Sequence, residues 1–120
     1  MTDVLDLEYV VLRCADLERA RRFYEAVGLR LTPEQHGAGA RHYSAAVGRT
    51  VIELYPLRDR PTTGVRLGLR VASVDAAVQA LGQLGAEIVG ADATKRSVVV
   101  RDPDGHEIAL SQPGEGEASS

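Results

Sequence analysis

The chain has 120 residues, of which 44% are hydrophobic and 26% are charged, a composition typical of one globular domain. Its net charge of −3 arises without a basic run, which argues against nucleic acid or an anionic membrane as a partner. The N-terminus is acidic and no apolar stretch of about 18 residues occurs, so we expect neither a signal peptide nor a membrane span. The single cysteine, Cys14, excludes an internal disulfide and favours a cytoplasmic location; we expect it to be a small buried residue.

The first half of the chain predicts one helix among several strands. Apolar, β-branched residues predict a strand at 7–13, and Asp16 is a suitable N-cap for an amphipathic helix that ends at Gly28. Further strands are predicted at residues 29–34, 41–47 and 50–55. A glycine-rich segment at 36–40 has no phosphate-binding spacing, so we expect a surface loop there.

The second half repeats this order after a polar linker at residues 57–64. A strand of alternating apolar residues leads to a helix that Ser73 caps and that ends at Gly85. The sequence DPDG at 102–105 is a turn signal. Further strands are predicted near residues 87–89, 97–101 and 106–111.

The two halves are also related in sequence. Residues 9–31 align with residues 66–88 without a gap, at a constant offset of 57 positions, as expected for a duplicated module. Each half reads as βαβββ, so we predict an α+β fold of two tandem modules. We expect a single domain at 1–113, with module one at about 7–56, module two at about 65–112 and a disordered tail at 114–120.

Strand alternation predicts which side chains lie opposite the helices. One helix covers only one face of a four-stranded sheet, so the other face needs a partner. We expect Ile52 and Leu54 to pack on a helix, whereas the facing of His42 stays undecided. His106 follows the DPDG turn and is predicted to be a turn or surface residue. The open faces are predicted to carry Tyr9, Val11, Glu53, Tyr55, Arg66, Glu107, Ala109 and Ser111.

Three stretches together resemble the vicinal oxygen chelate superfamily, which includes glyoxalase I, bleomycin-resistance proteins and extradiol dioxygenases. They are LEYVVLRCADLERARRFYEAVGL, TVIELYP and VRDPDGHEIAL, and the resemblance covers roughly residues 7–112. It implies that the sheets of the two modules curl to form a cavity, often completed by a homodimer. It says little about the reaction, since one scaffold hosts unrelated functions.

The resemblance also implies where a metal would bind. Enzymes of this superfamily generally hold one divalent ion through residues on the first and fourth strands of each module; the matching positions here are Tyr9, Glu53, Arg66 and Ala109. Of these, only Glu53 is an ordinary ligand, and the Arg66 cation would repel the metal, so we expect the standard site to be lost. The alternative is a nonstandard site for Fe, Mn, Ni or Zn at Glu53, Glu107 and His42.

We therefore expect a metal-free small-molecule-binding protein of the bleomycin-resistance type, without a cofactor and acting as a homodimer. Arg66 would receive a carboxylate or carbonyl oxygen of a polar or aromatic ligand, beside a neighbouring Glu53. An antibiotic is a candidate ligand by analogy with resistance proteins. The predicted ligand-binding residues are Tyr9, Glu53, Tyr55, Arg66, Glu107 and His42. The alternative is a glyoxalase- or dioxygenase-like metalloenzyme (a lyase, isomerase or oxygenase), with Glu53 as the candidate catalytic residue.

Overall fold

The structure of the chain, a computed structural model, describes residues 3–58, 61–62, 64–92, 94 and 96–113. The predicted tail at 114–120 and part of the linker at 57–64 lie outside these residues. The elements follow in the order β1 (Tyr9–Cys14), α1 (Leu17–Val27), β2 (Thr32–Glu34), β3 (His42–Val47), β4 (Thr50–Pro56), β5 (Arg66–Arg70), α2 (Val74–Gln83), β6 (Glu87–Ala91), β7 (Ser97–Arg101) and β8 (Glu107–Ser111).

Each half of the chain forms its own four-stranded mixed sheet. The strand order is β1-β4-β3-β2 in the first sheet and β5-β8-β7-β6 in the second. In each sheet the first and last strands of the module run parallel, and the other neighbours run antiparallel. One helix follows the first strand of each module, which confirms the predicted α+β fold of two tandem βαβββ modules.

The helices begin at the predicted caps. The Asp16 side chain accepts a hydrogen bond from the backbone N–H of Arg19 at 3.0 Å, and the Ser73 hydroxyl accepts one from Ala76 at 3.1 Å. α1 ends at Gly28, whose φ of 125° lies in the region that glycine favours. None of the helices in the described ranges has the length and hydrophobicity that crossing a membrane requires.

The two modules meet through the faces of their sheets that carry the helices. α1 contacts α2, and one core cluster contains buried side chains from both helices and both sheets. Ile52 and Leu54 of β4 belong to this cluster, as predicted from alternation. The opposite face of each sheet, called here its outer face, therefore lies away from the other module of the same chain.

A buried polar cluster joins the modules at the DPDG turn. The Tyr24 hydroxyl donates to Oδ2 of Asp102 at 2.5 Å. The same carboxylate oxygen lies 2.7 Å from Nδ1 of His106, whose Nε2 lies 3.0 Å from the carbonyl oxygen of Thr62. His106 closes the DPDG turn, as predicted, because its backbone N–H donates to Oδ1 of Asp102 and its carbonyl accepts from the backbone N–H of Asp102. The predicted surface position was wrong: the residue is 2% exposed, and both ring nitrogens lie within hydrogen-bonding distance of acceptors inside the protein.

Cys14 is buried, as predicted. Burial, together with the charges of Asp104 and Asp102, raises the pKa of the thiol to about 12. A thiol with so high a pKa holds almost no thiolate at neutral pH, so Cys14 is a packing residue and not a nucleophile.

Candidate functional site

The outer face of the first sheet brings together four of the predicted site residues. Glu53 on β4 pairs with Ser44 on β3. Alternate residues share a face, so Tyr55 and His42 lie on the same side as Glu53, and Tyr9 of β1 lies there too. The register between β3 and β4 thus settles the facing of His42, which the alternation of β3 alone left undecided.

His42 lies at the centre of this group and is 1% exposed. Its Nδ1 is 3.1 Å from the carbonyl oxygen of Ala40, which can only accept, so in the neutral ring Nδ1 carries the proton and Nε2 the lone pair. Nε2 lies 3.4 Å from Oε1 of Glu34 and 3.5 Å from Oε2 of Glu53. The ring stacks on Tyr55, with centroids 4.1 Å apart and planes 9° from parallel. Two carboxylates and one aromatic ring therefore surround one buried imidazole.

Sequence reasoning missed two residues of this group, Glu34 and His36. Glu34 pairs with His42 across the β2–β3 hairpin, and the ring centroids of His36 and His42 are 5.5 Å apart. The ligating atoms of Glu34, His36 and His42 all lie within 4.8 Å of one another. The sequence did carry one indication of this group. Glu34 and His42 flank the glycine-rich segment that contains His36, so a hairpin that turns at this segment brings the three residues close together.

Tyr55 and Arg13 extend the polar and aromatic part of the first outer face. The guanidinium carbon of Arg13 lies 5.2 Å from the centroid of the Tyr55 ring, within the range of a cation–π interaction. Burial, and then the Glu53 carboxylate, raises the pKa of the Tyr55 hydroxyl above its ordinary value. The hydroxyl therefore stays protonated at neutral pH and can donate a hydrogen bond.

The outer face of the second sheet carries Arg66 and Glu107 on adjacent strands. Nε of Arg66 lies 3.0 Å from Oε1 of Glu107, and 58% of the arginine side chain remains exposed. Two residue pairs further along, Gly68 lies opposite Ala109. A recess of about 340 Å³ opens there. The outer-face residues that line it are small or apolar: Gly68, Gly90, Ser97, Val99, Ala109 and Ser111. Asp92 also lines it, and its carboxylate accepts hydrogen bonds from the Thr94 hydroxyl and the backbone N–H groups of Arg96 and Ser97.

The expected proximity of Glu53 and Arg66 does not occur within one chain. Arg66 forms its ion pair with Glu107 of the same sheet, whereas Glu53 lies beside His42 in the other sheet. No hydrogen bond or ion pair between described residues joins the two outer faces. The physical reason is that the modules share a core formed by the helix-bearing faces of their sheets, so each outer face lies away from that core.

Two larger crevices, of about 630 and 520 Å³, lie beside the helices where the modules meet. None of the predicted ligand-binding residues lines either of them. We place the site on the outer faces because the stacked rings, the carboxylates and Arg66 lie there, and a few convergent polar groups mark a binding site better than volume does.

The chain belongs to the glyoxalase-like domain family, whose sequence profile matches residues 9–111. This confirms the predicted membership of the vicinal oxygen chelate superfamily. TnmS3, an antibiotic-binding protein from Streptomyces sp. CB03234, is 30% identical, with a TM-score of 0.73 over 95% of this chain and 100% of TnmS3. A glyoxalase/bleomycin-resistance protein from the same organism is 32% identical, with a TM-score of 0.67 over 87% of this chain and 97% of its own.

A glyoxalase I shares the fold at lower identity. The trypanothione-dependent glyoxalase I of Leishmania major is 21% identical, with a TM-score of 0.72 over 91% of this chain and 87% of the enzyme. This likeness shows the common fold alone. Among curated proteins no match was found.

The residues at the family's four metal positions do not fit a metal ion. Arg66 places a cation there and is bonded to Glu107, and Ala109 has no donor atom. Tyr9 is 57% exposed and pairs with Val51, two residues before Glu53 on β4. The second sheet therefore contributes no metal ligand at these positions, and no chemistry of this chain is derived from a metal bound there.

Proposed function

We propose that this chain is a small-molecule-binding protein of the bleomycin-resistance type that holds its ligand without the metal centre of the family's enzymes. The observation that carries the proposal is Arg66, a half-exposed cation at a position that matches a metal ligand of the family's enzymes. It lies on β5 two residues before Gly68, which lines the recess of about 340 Å³. The guanidinium would receive a carboxylate or carbonyl oxygen, while a planar apolar part of the ligand lies on the small residues beyond Gly68.

One relative supports binding rather than catalysis. TnmS3, which is 30% identical, is an antibiotic-binding protein. We extend antibiotic or other natural-product binding to this chain as part of the proposal. The small apolar lining of the recess favours a ligand of modest size, with one acidic or carbonyl group for Arg66.

The proposed assembly is a homodimer in which the first outer face of one copy covers the second outer face of the other. Each outer face is open in one chain, and Tyr9 exposes 57% of its surface at the edge of the first one. Such a dimer would bring Tyr9, Tyr55, His42 and Glu53 of one copy to Arg66 and Glu107 of its partner, and would complete the cavity. Sedimentation should then give one species of twice 12.9 kDa.

The proposed location is cytoplasmic, since the chain has a single cysteine.

Thermal unfolding with a set of aromatic carboxylates tests the ligand site. We expect 1-naphthoate, at about ten times its Kd, to raise the Tm by about 5 °C. The same concentration of uncharged 1-naphthamide should give a smaller rise, because its carbonyl oxygen accepts a weaker hydrogen bond than a carboxylate does. Arg66→Ala should abolish the rise, and Arg49→Ala, at an exposed turn, should preserve it. An equal rise in Arg66→Ala would place the ligand elsewhere.

A metal-dependent enzyme is the second candidate function, and the group of Glu34, His36 and His42 favours it. Glu53, 3.5 Å from His42, is then the candidate catalytic residue. Turnover would have to depend on added Fe, Mn, Ni or Zn and disappear in Glu53→Ala. Equal turnover of a substrate by the chelator-treated and the metal-supplemented protein would exclude this candidate.

A further inference from the structure

The outer face of the first sheet holds a group of metal-ligating side chains, of which only Glu53 lies at one of the family's four metal positions. Glu34 ends β2, His36 follows it in the glycine-rich segment, His42 begins β3 and Glu53 lies on β4. All four belong to module one, so the group needs neither the second module nor a partner copy.

The orientation of His42 prepares one nitrogen for a metal. Nδ1 donates to the carbonyl oxygen of Ala40, and this bond fixes the ring and leaves the Nε2 lone pair free. Histidines that bind metals commonly donate their other ring N–H to a carbonyl oxygen or a carboxylate in this way. The Tyr55 hydroxyl lies 3.3 Å from Nε2. Because the two rings are stacked, that hydroxyl lies above the imidazole plane and not along the in-plane lone pair.

The distances from Nε2 of His42 to the two carboxylates fit coordination of a shared ion better than they fit direct hydrogen bonds. Nε2 of His42 is 3.4 Å from the Glu34 carboxylate and 3.5 Å from that of Glu53, beyond the 2.7–3.2 Å of ordinary N–H···O bonds. A tetrahedral ion with bonds of about 2.0–2.1 Å holds its ligand atoms about 3.4 Å apart. Without a cation, two carboxylates would converge on a buried lone pair, which is electrostatically unfavourable.

The donor set matches the charge and softness of zinc. Two neutral imidazoles and two carboxylates carry a total charge of −2, which a divalent ion neutralises. Imidazole ligands suit zinc and other late transition metals and do not suit Mg²⁺. His36 is exposed at the end of β2, and its backbone carbonyl accepts from Gly39 at 2.9 Å, so the turn it forms brings its ring towards His42.

We infer that Glu34, His36, His42 and Glu53 form a binding site for a divalent transition metal, with Zn²⁺ as its representative ion. The site goes beyond the proposed ligand-binding function, because all four ligands lie in the first module and the metal needs no contact with Arg66. In the proposed dimer, His42 and Glu53 would also face the ligand cavity. A metal here would stabilise the β2–β3 hairpin by joining its two strands to β4.

Calorimetric titration of Zn²⁺ into chelator-treated full-length protein tests the inference. We expect one Zn²⁺ per chain and no comparable binding of Mg²⁺. Glu34→Gln and His36→Ala should each weaken Zn²⁺ binding at least tenfold. Both side chains lie at least partly in solvent, so the variants should keep the circular dichroism spectrum of the parent chain.

Glu87→Gln is the matched control, since Glu87 is an exposed carboxylate at the edge strand of the second sheet. It should change Zn²⁺ affinity less than twofold. Absence of stoichiometric binding would overturn the inference. Binding that survives in both Glu34→Gln and His36→Ala, or that Glu87→Gln removes, would overturn it as well.

Discussion

The hydroxyl of Tyr24 forms a buried hydrogen bond between the first module and the second. It donates to Asp102, which is 4% exposed and also accepts from the backbone N–H groups of Asp104 and His106. The DPDG turn is therefore organised around one buried carboxylate. Each donor contributes to satisfying that charge, so the loss of one donor should be measurable.

Tyr24→Phe should lower the free energy of unfolding by about 1–3 kcal/mol, because the buried Asp102 carboxylate loses a donor while the packing of the ring is kept. Tyr9→Phe is the control, since Tyr9 is 57% exposed, and should change stability by less than about 0.5 kcal/mol. Urea unfolding measures both. Equal effects of the two variants would show that the hydrogen bond to Asp102 contributes nothing.

Cys14 should make the protein less stable in alkaline solution. Burial, then the charges of Asp104 and Asp102, raises its pKa from 9.0 to about 12. Above pH 9 the thiol ionises in the unfolded chain but stays protonated in the folded one, so unfolding releases a proton and stability falls as the pH rises. Between pH 9 and 10 the parent chain should lose about 1 kcal/mol more than Cys14→Ala does. Parallel profiles in urea unfolding under reducing conditions would contradict this.

His42 and His106 show how far the position of a single side chain can be predicted from the sequence. The alternation of Ile52, Leu54 and their counterparts predicted the buried faces, because one face of each strand meets a helix. His106 alternates with Ile108 and Leu110, which indicated burial, but its position directly after the turn favoured a surface residue. Its acceptors, Asp102 and Thr62, are brought to it by the turn and the linker. His42 likewise required the register of a neighbouring strand.

At the scale of elements, the caps and the glycines that end helices were readable from the sequence because they depend on local backbone chemistry. The predicted strand at 29–34 shortens to β2 (Thr32–Glu34). The reason is that the backbone N–H of Leu29 bonds to the carbonyl of Tyr24 and closes the end of α1. The metal-ligating group was not predicted, since it depends on the pairing of β2 with β3 across a loop.

Two glycine substitutions should have opposite effects on stability. Gly28 has a φ of 125°, whereas Gly82 lies inside α2, and an added Cβ meets no atom within 4 Å at either position. Gly28→Ala should cost roughly 1–2 kcal/mol through backbone strain. Gly82→Ala should add about 0.5–1 kcal/mol through helix propensity. Thermal unfolding of the two variants compares them, and the same sign in both would contradict the role assigned to Gly28.

At the scale of the whole molecule, the sequence duplication predicted two equivalent modules, since repeated sequence folds into repeated structure. It did not predict how the modules of one chain pack, because both helix faces and outer faces are available for contact. The structure joins the modules through α1, α2 and a common core. Glu53 and Arg66 consequently lie on different outer faces, and our proposed dimer is what would bring them together.

The shared core also bears on the domain organisation. We propose that the described part of the chain unfolds as one unit, because neither module can bury its helix face alone. The ligand-binding proposal then concerns the assembled protein, with Arg66 as the cation that takes the place of a metal.

The role of Arg66 in holding a ligand without a metal is tested most directly by calorimetric titration of 1-naphthoate into the protein in the presence of excess chelator. We predict that 1-naphthoate binds without any metal. Its affinity for Arg66→Ala should be at least tenfold weaker, because the carboxylate of the ligand then loses its charged partner. Arg49→Ala should bind as the parent chain does. Binding that requires a metal, or that Arg66→Ala leaves unchanged, would contradict the claim that Arg66 replaces the family's metal centre as the ligand-holding group.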